Sequence, residues 1–159
     1  MVSIRRIRKG EGQVFRAVRL AALADSPDAF GSSYESALAR TPESWVGQSD
    51  STASGGQRST FLAFDEGQTV GITALYRDPD EALRGELLQV WVAPGYRGTG
   101  LAGRLMDAAL DWARAVGILR AVAGVAETNH RVIAFYEKHG FVRGQVPNDG
   151  ETIYLLRIL

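Results

Sequence analysis

The chain contains no cysteine, two histidines and two methionines in 159 residues. Without cysteine there is no disulfide, no thiolate zinc site and no cysteine nucleophile, so an acyl-enzyme on sulfur is excluded and a reducing compartment is compatible. Two histidines, His130 and His139, make a poor zinc site on their own, and no metal is expected. Charge of either sign is not in excess: lysine plus arginine number 18 and aspartate plus glutamate 18, which removes the electrostatic footprint of a nucleic-acid binder. No apolar run approaches the roughly 20 residues that cross a bilayer. Arg5, Arg6, Arg8 and Lys9 crowd the N-terminus like the start of an export signal, but Glu11, Arg16 and Arg19 interrupt the apolar stretch that must follow. No nucleic-acid or membrane partner is expected, and the cytoplasm is the expected location.

What is present is a hydrophobic content of 45%, enough for one globular domain spanning 1–159 with a sizeable core. A homodimer is compatible with this composition. "VSIRRI" alternates like a half-buried strand, and "EGQVFRAVRLAALAD" places Val14, Val18, Ala21 and Ala22 near a helical stripe. "SPDAFGSSYESALARTPESWVGQ" predicts two short helices capped by Ser32 or Ser33 and by Thr41, with Pro42 at a first helical position. "SDSTASGGQRST", residues 49–60, reads as a small-residue loop that is either disordered or a cover for a binding site. "STFLAF" and "TVGITALY" predict a hairpin around Asp65, Glu66 and Gly67, and "ELLQVWV" a third strand too close in sequence for crossover helices, hence antiparallel. "GLAGRLMDAALDWARAV" predicts a helix with Leu101, Leu105, Ala108, Ala109 and Trp112 on one face and Gly117 as its stop. "ILRAVAGVA" follows as a strand, "NHRVIAFYEKHG" as a helix, and "FVRGQV", "PNDG" and "ETIYLLRIL" as a closing hairpin. The class is α/β with a mixed sheet.

Gly98, Gly100 and Gly103 spell G-x-G-x-x-G, yet three antiparallel strands precede them and Pro94 separates them from the strand end. Both features are wrong for a dinucleotide fold, even with Glu127 available as a ribose acid. Gly95 and Gly100 have the spacing of a phosphate-binding P-loop, but Leu101 and Ala102 occupy the positions that need Lys and Ser/Thr. The physical core of both motifs survives, because small residues let backbone N–H groups approach a phosphate and the helix opening at Gly100 adds a positive dipole end. A pyrophosphate therefore belongs here.

Arg97-Gly98-Thr99-Gly100-Leu101-Ala102 resembles the Q/R-x-x-G-x-G/A signature of the GCN5-related N-acetyltransferase (GNAT) superfamily, which follows a strand and precedes a long helix. "ELLQVWVAP" is similar to that family's fourth strand. "ETNHRVIAFYEKHGF" is similar to its N-x-x-A-x-x-x-Y-x-x-x-G-F segment, with Asn129, Tyr136, Gly140 and Phe141 in place and a mild departure at Val132 and Ile133. The resemblance runs from about Phe61 to Leu159. It implies a mixed central sheet with antiparallel N-terminal strands, parallel fourth and fifth strands splayed around the cofactor, and flanking helices. It also implies acetyl-CoA as cosubstrate, held by main chain at a bulge near Val90, Trp91 and Val92, with Arg97, Gly98, Thr99, Gly100, Leu101 and Ala102 gripping the pyrophosphate and Asn129 and Tyr136 touching the cofactor.

The implied activity is transfer of an acetyl group to a primary amine, directly within a ternary complex. A catalytically silent acyl-CoA sensor is the alternative. An alkylammonium with a pKa of about 10.4 must lose a proton before it attacks, which calls for a base. Glu86, at the start of the fourth strand, is the first candidate and Glu127 the reserve, each with the plain alternative of a solvated or helix-start acid. Tyr136 is the candidate proton donor to the departing thiolate, against a packing role at helical spacing with Ile133. Asn129 serves equally as a helix N-cap. His130 and His139 need no catalytic role. The acceptor, a small-molecule or peptide amine, is expected near the N-terminal helices, where Asp25, Asp28 and Glu35 offer negative charge to a cationic amine.

Overall fold

The computed structural model describes residues 1–27, 32–144 and 152–159. Asp28 and the "PNDG" turn lie outside the described residues. The chain runs β1 (Val2–Arg6), α1 (Gly12–Asp25), α2 (Tyr34–Leu38), α3 (Pro42–Ser51), β2 (Arg58–Asp65), β3 (Gln68–Arg77) and β4 (Arg84–Val92). It continues through α4 (Leu101–Ala115), β5 (Arg120–Ala126), α5 (His130–Lys138), β6 (Val142–Arg143) and β7 (Thr152–Ile158). The strands form one sheet in the order β1-β2-β3-β4-β5-β7-β6. Among the described residues only β4 and β5 pair in parallel; the other neighbours are antiparallel.

Local sequence accounts for most element ends. Ser33 caps α2 by accepting from the Ser36 N–H, and Thr41 caps α3 by accepting from Ser44 with Pro42 in the first turn. Both satisfy amides that have no partner inside the helix. β2 and β3 are joined by the two residues Glu66 and Gly67, with φ of 49° and 81°, the geometry of a tight hairpin turn whose twist matches its strands.

Helices cover both faces of the sheet. On one face Phe15, Val18, Ala22 and Leu23 of α1, Ala37 of α2 and Trp45 of α3 pack on Leu62, Ile72 and Trp91. On the other, Met106, Ala109, Leu110 and Ala113 of α4 and Ile133 and Tyr136 of α5 pack on Leu75, Leu87, Ala121, Ala123 and Leu155. The buried stripe of α1 is rotated from the predicted one: Ala21 is exposed, and Phe15, Arg19 and Leu23 take the inward positions. α4 shows a similar shift. Ala108 and Trp112 are half-buried while Met106, Leu110 and Ala113 go inside, into the cluster they form with the sheet.

The predicted loop 49–60 is shorter than its composition suggests, since Ser49 to Ser51 complete α3 and Arg58 to Thr60 begin β2. What remains is pinned by two guanidiniums. Arg6 donates to the carbonyls of Thr52, Gly55 and Arg58, and Arg77 to those of Gly56 and Val116. The contact with Val116 puts this loop at the C-terminal end of α4. The helix opening at Gly100 is about 22 Å away along a helix of that length.

Candidate active site

Two irregularities in β4 create the site. Ile72 lies opposite Trp91 and Ala74 opposite Leu88, so Thr73 alone faces both Gln89 and Val90, a bulge with one extra residue on β4. Gln89 has φ of 59°, a left-handed conformation that costs a non-glycine residue roughly 1 kcal/mol or more. The bulge also flips the alternation of side chains. Leu87 and Val90 both face α4 and α5, whereas Gln89 and Trp91 both face the α1–α3 side.

The second irregularity is a splay. β4 and β5 pair only through Arg84–Arg120, Gly85–Ala121 and Glu86–Val122, while β5 continues along β7 to Ala126. Among the described residues, β4 therefore has no strand on that side from Leu87 to Val92. A free strand edge offers its amides and carbonyls to an extended ligand arm.

The strand then turns through one 3₁₀ turn at Pro94–Tyr96 into α4. Gly98 and Gly100 have φ of 78° and 84°, and a Cβ on either would meet nothing within 4 Å. Backbone conformation, together with open space above the loop, is what these positions need. Gly100 is the N-cap of α4 and supplies no side chain to it, and the first turn of α4 holds no acid. The free amides and positive dipole end of a 15-residue helix thus face outward, a setting that suits a pyrophosphate. Gly103 has a different job: a Cβ there would come within 2.9 Å of the His139 ring, so the third glycine of G-x-G-x-x-G lets α5 approach α4.

The loop is fastened from below. Trp91 donates its indole N–H to the Asp25 carboxylate at 3.0 Å, Ser26 donates at 2.7 Å, and Arg97 pairs with the same oxygen. These donors, Trp91 foremost, hold the Asp25 carboxyl down at about 2. Arg97 also donates to the Val92 carbonyl at 3.2 Å, Thr99 donates to the Tyr96 carbonyl at 2.5 Å, and the Tyr96 hydroxyl bonds Asp65 at the hairpin end. Asp25 is thus a structural anchor for the loop and not a free acceptor-binding charge. Of its two expected companions, Glu35 is exposed in the first turn of α2.

Glu86 occupies the last β4–β5 pair, at the apex of the splay, and is exposed. It stands opposite Tyr76 on β3, whose hydroxyl meets Gln48 of α3, so Glu86 shares the α1–α3 side. Glu127 is exposed beyond the end of β5. Tyr136 is 5% exposed on the opposite side, edge-on to Phe135 and Phe141. Burial pushes its hydroxyl pKa up, which keeps it protonated at neutral pH. The Asn129 side chain caps α5 by accepting from the Val132 N–H at 3.3 Å. Among the described residues no group of three or more histidines or acids has the arrangement of a metal site, and no helix is long and apolar enough to cross a membrane.

On the α1–α3 side of the bulge lies a cavity of about 180 Å³, lined by Arg19, Leu23, Ser32, Ser36, Ala37, Arg40, Trp45, Gln48 and Gln89. Its described charged residues are both arginines. Sequence reasoning missed it. Arg19 carries the signal, a cation inside the apolar stripe four residues from both Phe15 and Leu23; Gln89 carries another, one polar residue within "LLQVWV".

The family described as "Acetyltransferase (GNAT) family" matches residues 21–141, well over half of the chain. An uncharacterized N-acetyltransferase of Mycobacterium tuberculosis (strain ATCC 25618 / H37Rv) is 39% identical over 85 residues, 54% of this chain and 53% of the relative. The chain spans about half the length of the curated relatives it matches. A GNAT-family acetyltransferase from Streptococcus pneumoniae superimposes with a TM-score of 0.83 at 24% identity, covering 100% of both chains. The PaiA N-acetyltransferase from Thermoplasma acidophilum, solved with coenzyme A, superimposes at 0.72 with 19% identity over 100% of this chain and 99% of that one. The bulged and splayed fourth strand, the uncapped helix behind its glycine loop and the family match together make this chain a member of the acetyltransferase (GNAT) family.

Proposed function

We propose that the protein is an acetyl-CoA-dependent N-acetyltransferase that transfers the acetyl group directly to a primary amine in a ternary complex. The observation that carries this reading is the coincidence, between Leu87 and Gly100, of the bulge at Gln89, the free edge of β4 and the outward-facing amides at the start of α4. The free edge suits a pantetheine arm, and the helix opening suits the pyrophosphate at its other end. Val90, Trp91 and Val92 supply main-chain contacts, the 97–102 segment grips the pyrophosphate, and Asn129 lies at the start of α5 beside the cleft.

In this reading the amine nitrogen attacks the thioester carbonyl carbon and forms the N–C bond. Charge gathers on the carbonyl oxygen, where the N–H near Val90, released from the ladder by the bulge, stabilises it. The C–S bond then breaks and sulfur leaves with the electron pair. Glu86 takes the amine's proton, directly or through a water, and its exposed place at the apex gives it access to both. Tyr136 donates the proton that neutralises the thiolate.

The test is to mix protein, acetyl-CoA and a panel of primary amines while following free thiol and N-acetyl product. One thiol per acetylated amine, with no mass gain on the protein, is expected. Tight acetyl-CoA binding without thiol release for any amine would make the chain an acyl-CoA-binding domain instead.

A further inference from the structure

The cavity beside the bulge has a chemistry that the family match does not specify. Arg19 is 6% exposed within it. Arg40 stacks on Trp45, its guanidinium carbon 3.8 Å from the ring centroid, and is fixed by two bonds to Ser44. Gln48 is oriented by its bond to the Tyr76 hydroxyl at 3.2 Å. Two further atoms are buried without a partner among the described residues: the Trp45 indole N–H, a donor, and the Gln89 side-chain oxygen, an acceptor. The wall therefore offers cations and an N–H donor at the helices and a bare acceptor at the bulge.

We infer that this cavity is the acceptor subsite and that its ligand is a small amino-carboxylate. The carboxylate lies on Arg19, Arg40 and the Trp45 N–H, and the amine end lies toward Gln89 at the bulge. Guanidinium groups match carboxylates in geometry as well as charge. Gln89 accepts an N–H from the amine and holds it beside the strand segment assigned to the thioester. The volume of about 180 Å³ admits a ligand little larger than benzene, which fills a cavity of about 150 Å³. Burial lowers the Arg19 pKa to about 10, Arg40 adds to the depression and Tyr76 opposes it. The inference rests on the acetyltransferase reading and reverses the expectation of a purely cationic amine.

The experiment pairs small L-amino acids with their decarboxylated amines, alanine with ethylamine, valine with isobutylamine and so on through the set. O-phosphoethanolamine serves as the phosphate-bearing arm. Each is titrated by calorimetry into the intact protein saturated with CoA, and each is assayed for thiol release with acetyl-CoA. At least one amino acid should bind and react at least tenfold better than its decarboxylated partner, and Arg40→Met should erase that preference while leaving the CoA dissociation constant unchanged. Equal or better performance by the decarboxylated amines, binding by neither, a preference for O-phosphoethanolamine, or a preference that survives both Arg40→Met and Arg19→Met overturns the inference. The acetyltransferase reading is scored separately, since it fails if acetyl-CoA does not bind or if no amine of any charge releases thiol.

Discussion

The two faces of the sheet border sites built by different means. The cleft proposed for the cofactor is made mostly of backbone: the edge of β4 beyond Glu86, the bulge and the amides at the start of α4. The cavity on the α1–α3 face is made of side chains, among them Arg19 of α1, Arg40 of the α2–α3 connection, Trp45 and Gln48 of α3 and Gln89 of β4. A backbone site recognises what is constant in a ligand, a phosphate or an amide arm, and tolerates most substitutions outside its glycines. A side-chain site changes its specificity with one residue. This division lets one fold keep a cofactor while varying the acceptor.

Glu86, the proposed base at the apex of the splay, should show the largest effect. Glu86→Gln keeps shape and removes basicity, so turnover at neutral pH is expected to fall on the order of 10²-fold or more. Acetyl-CoA affinity should stay near wild type, and raising the pH should partly restore the rate as more amine is deprotonated in solution. A folded variant with the wild-type rate and pH profile would hand the proton to Glu127 or solvent.

Tyr136→Phe comes next. It retains the ring between Phe135 and Phe141 and deletes the hydroxyl, so a loss of about 10²-fold in turnover with cofactor binding intact identifies the proton donor. Full activity would assign the residue to packing.

Gly100→Val breaks the backbone side of the comparison. Valine at φ of 84° is strained, but a Cβ there meets no neighbour, so the fold should survive a cost of about 1–2 kcal/mol. The acetyl-CoA dissociation constant should rise by at least about tenfold as the amides turn away, which calorimetry reads directly. An unchanged constant would remove the pyrophosphate from this loop.

The smallest effect belongs to the anchor between the faces. Asp25→Asn leaves the shape but weakens the bonds from Arg97 and Trp91, and a loss of about 1 kcal/mol, roughly 2–4 °C in melting temperature, is expected at neutral pH. Because the Asp25 carboxyl is held at about 2, below its ordinary value, its stabilisation is complete above about pH 4 and is lost as pH falls toward about 2. The melting temperatures of wild type and variant should therefore converge across that interval. A gap that persists at pH 2 would mean the carboxylate charge is not what holds the loop.

The sequence by itself determined whatever depends on local conformation. Ser33, Thr41 and Asn129 cap helices because their short polar side chains reach amides three residues on. Glu66 and Gly67 close a hairpin, and Gly98 and Gly100 open a loop, because few other residues adopt a positive φ cheaply. The seam of β4 was legible through its likeness to a family, since nothing in "LLQVWV" alone announces that Gln89 will bulge. Tertiary structure decided the rest. Arg19 of α1, Arg40 of the α2–α3 connection and Gln89 of β4 meet only when the helices settle on the bulged strand. The role of Asp25 was reassigned for the same reason, because Trp91 and Arg97, which claim its carboxylate, are 66 and 72 residues away in the chain. Periodicity reports which face of an element turns inward, but the partner that a buried polar group finds there is fixed by packing across the fold.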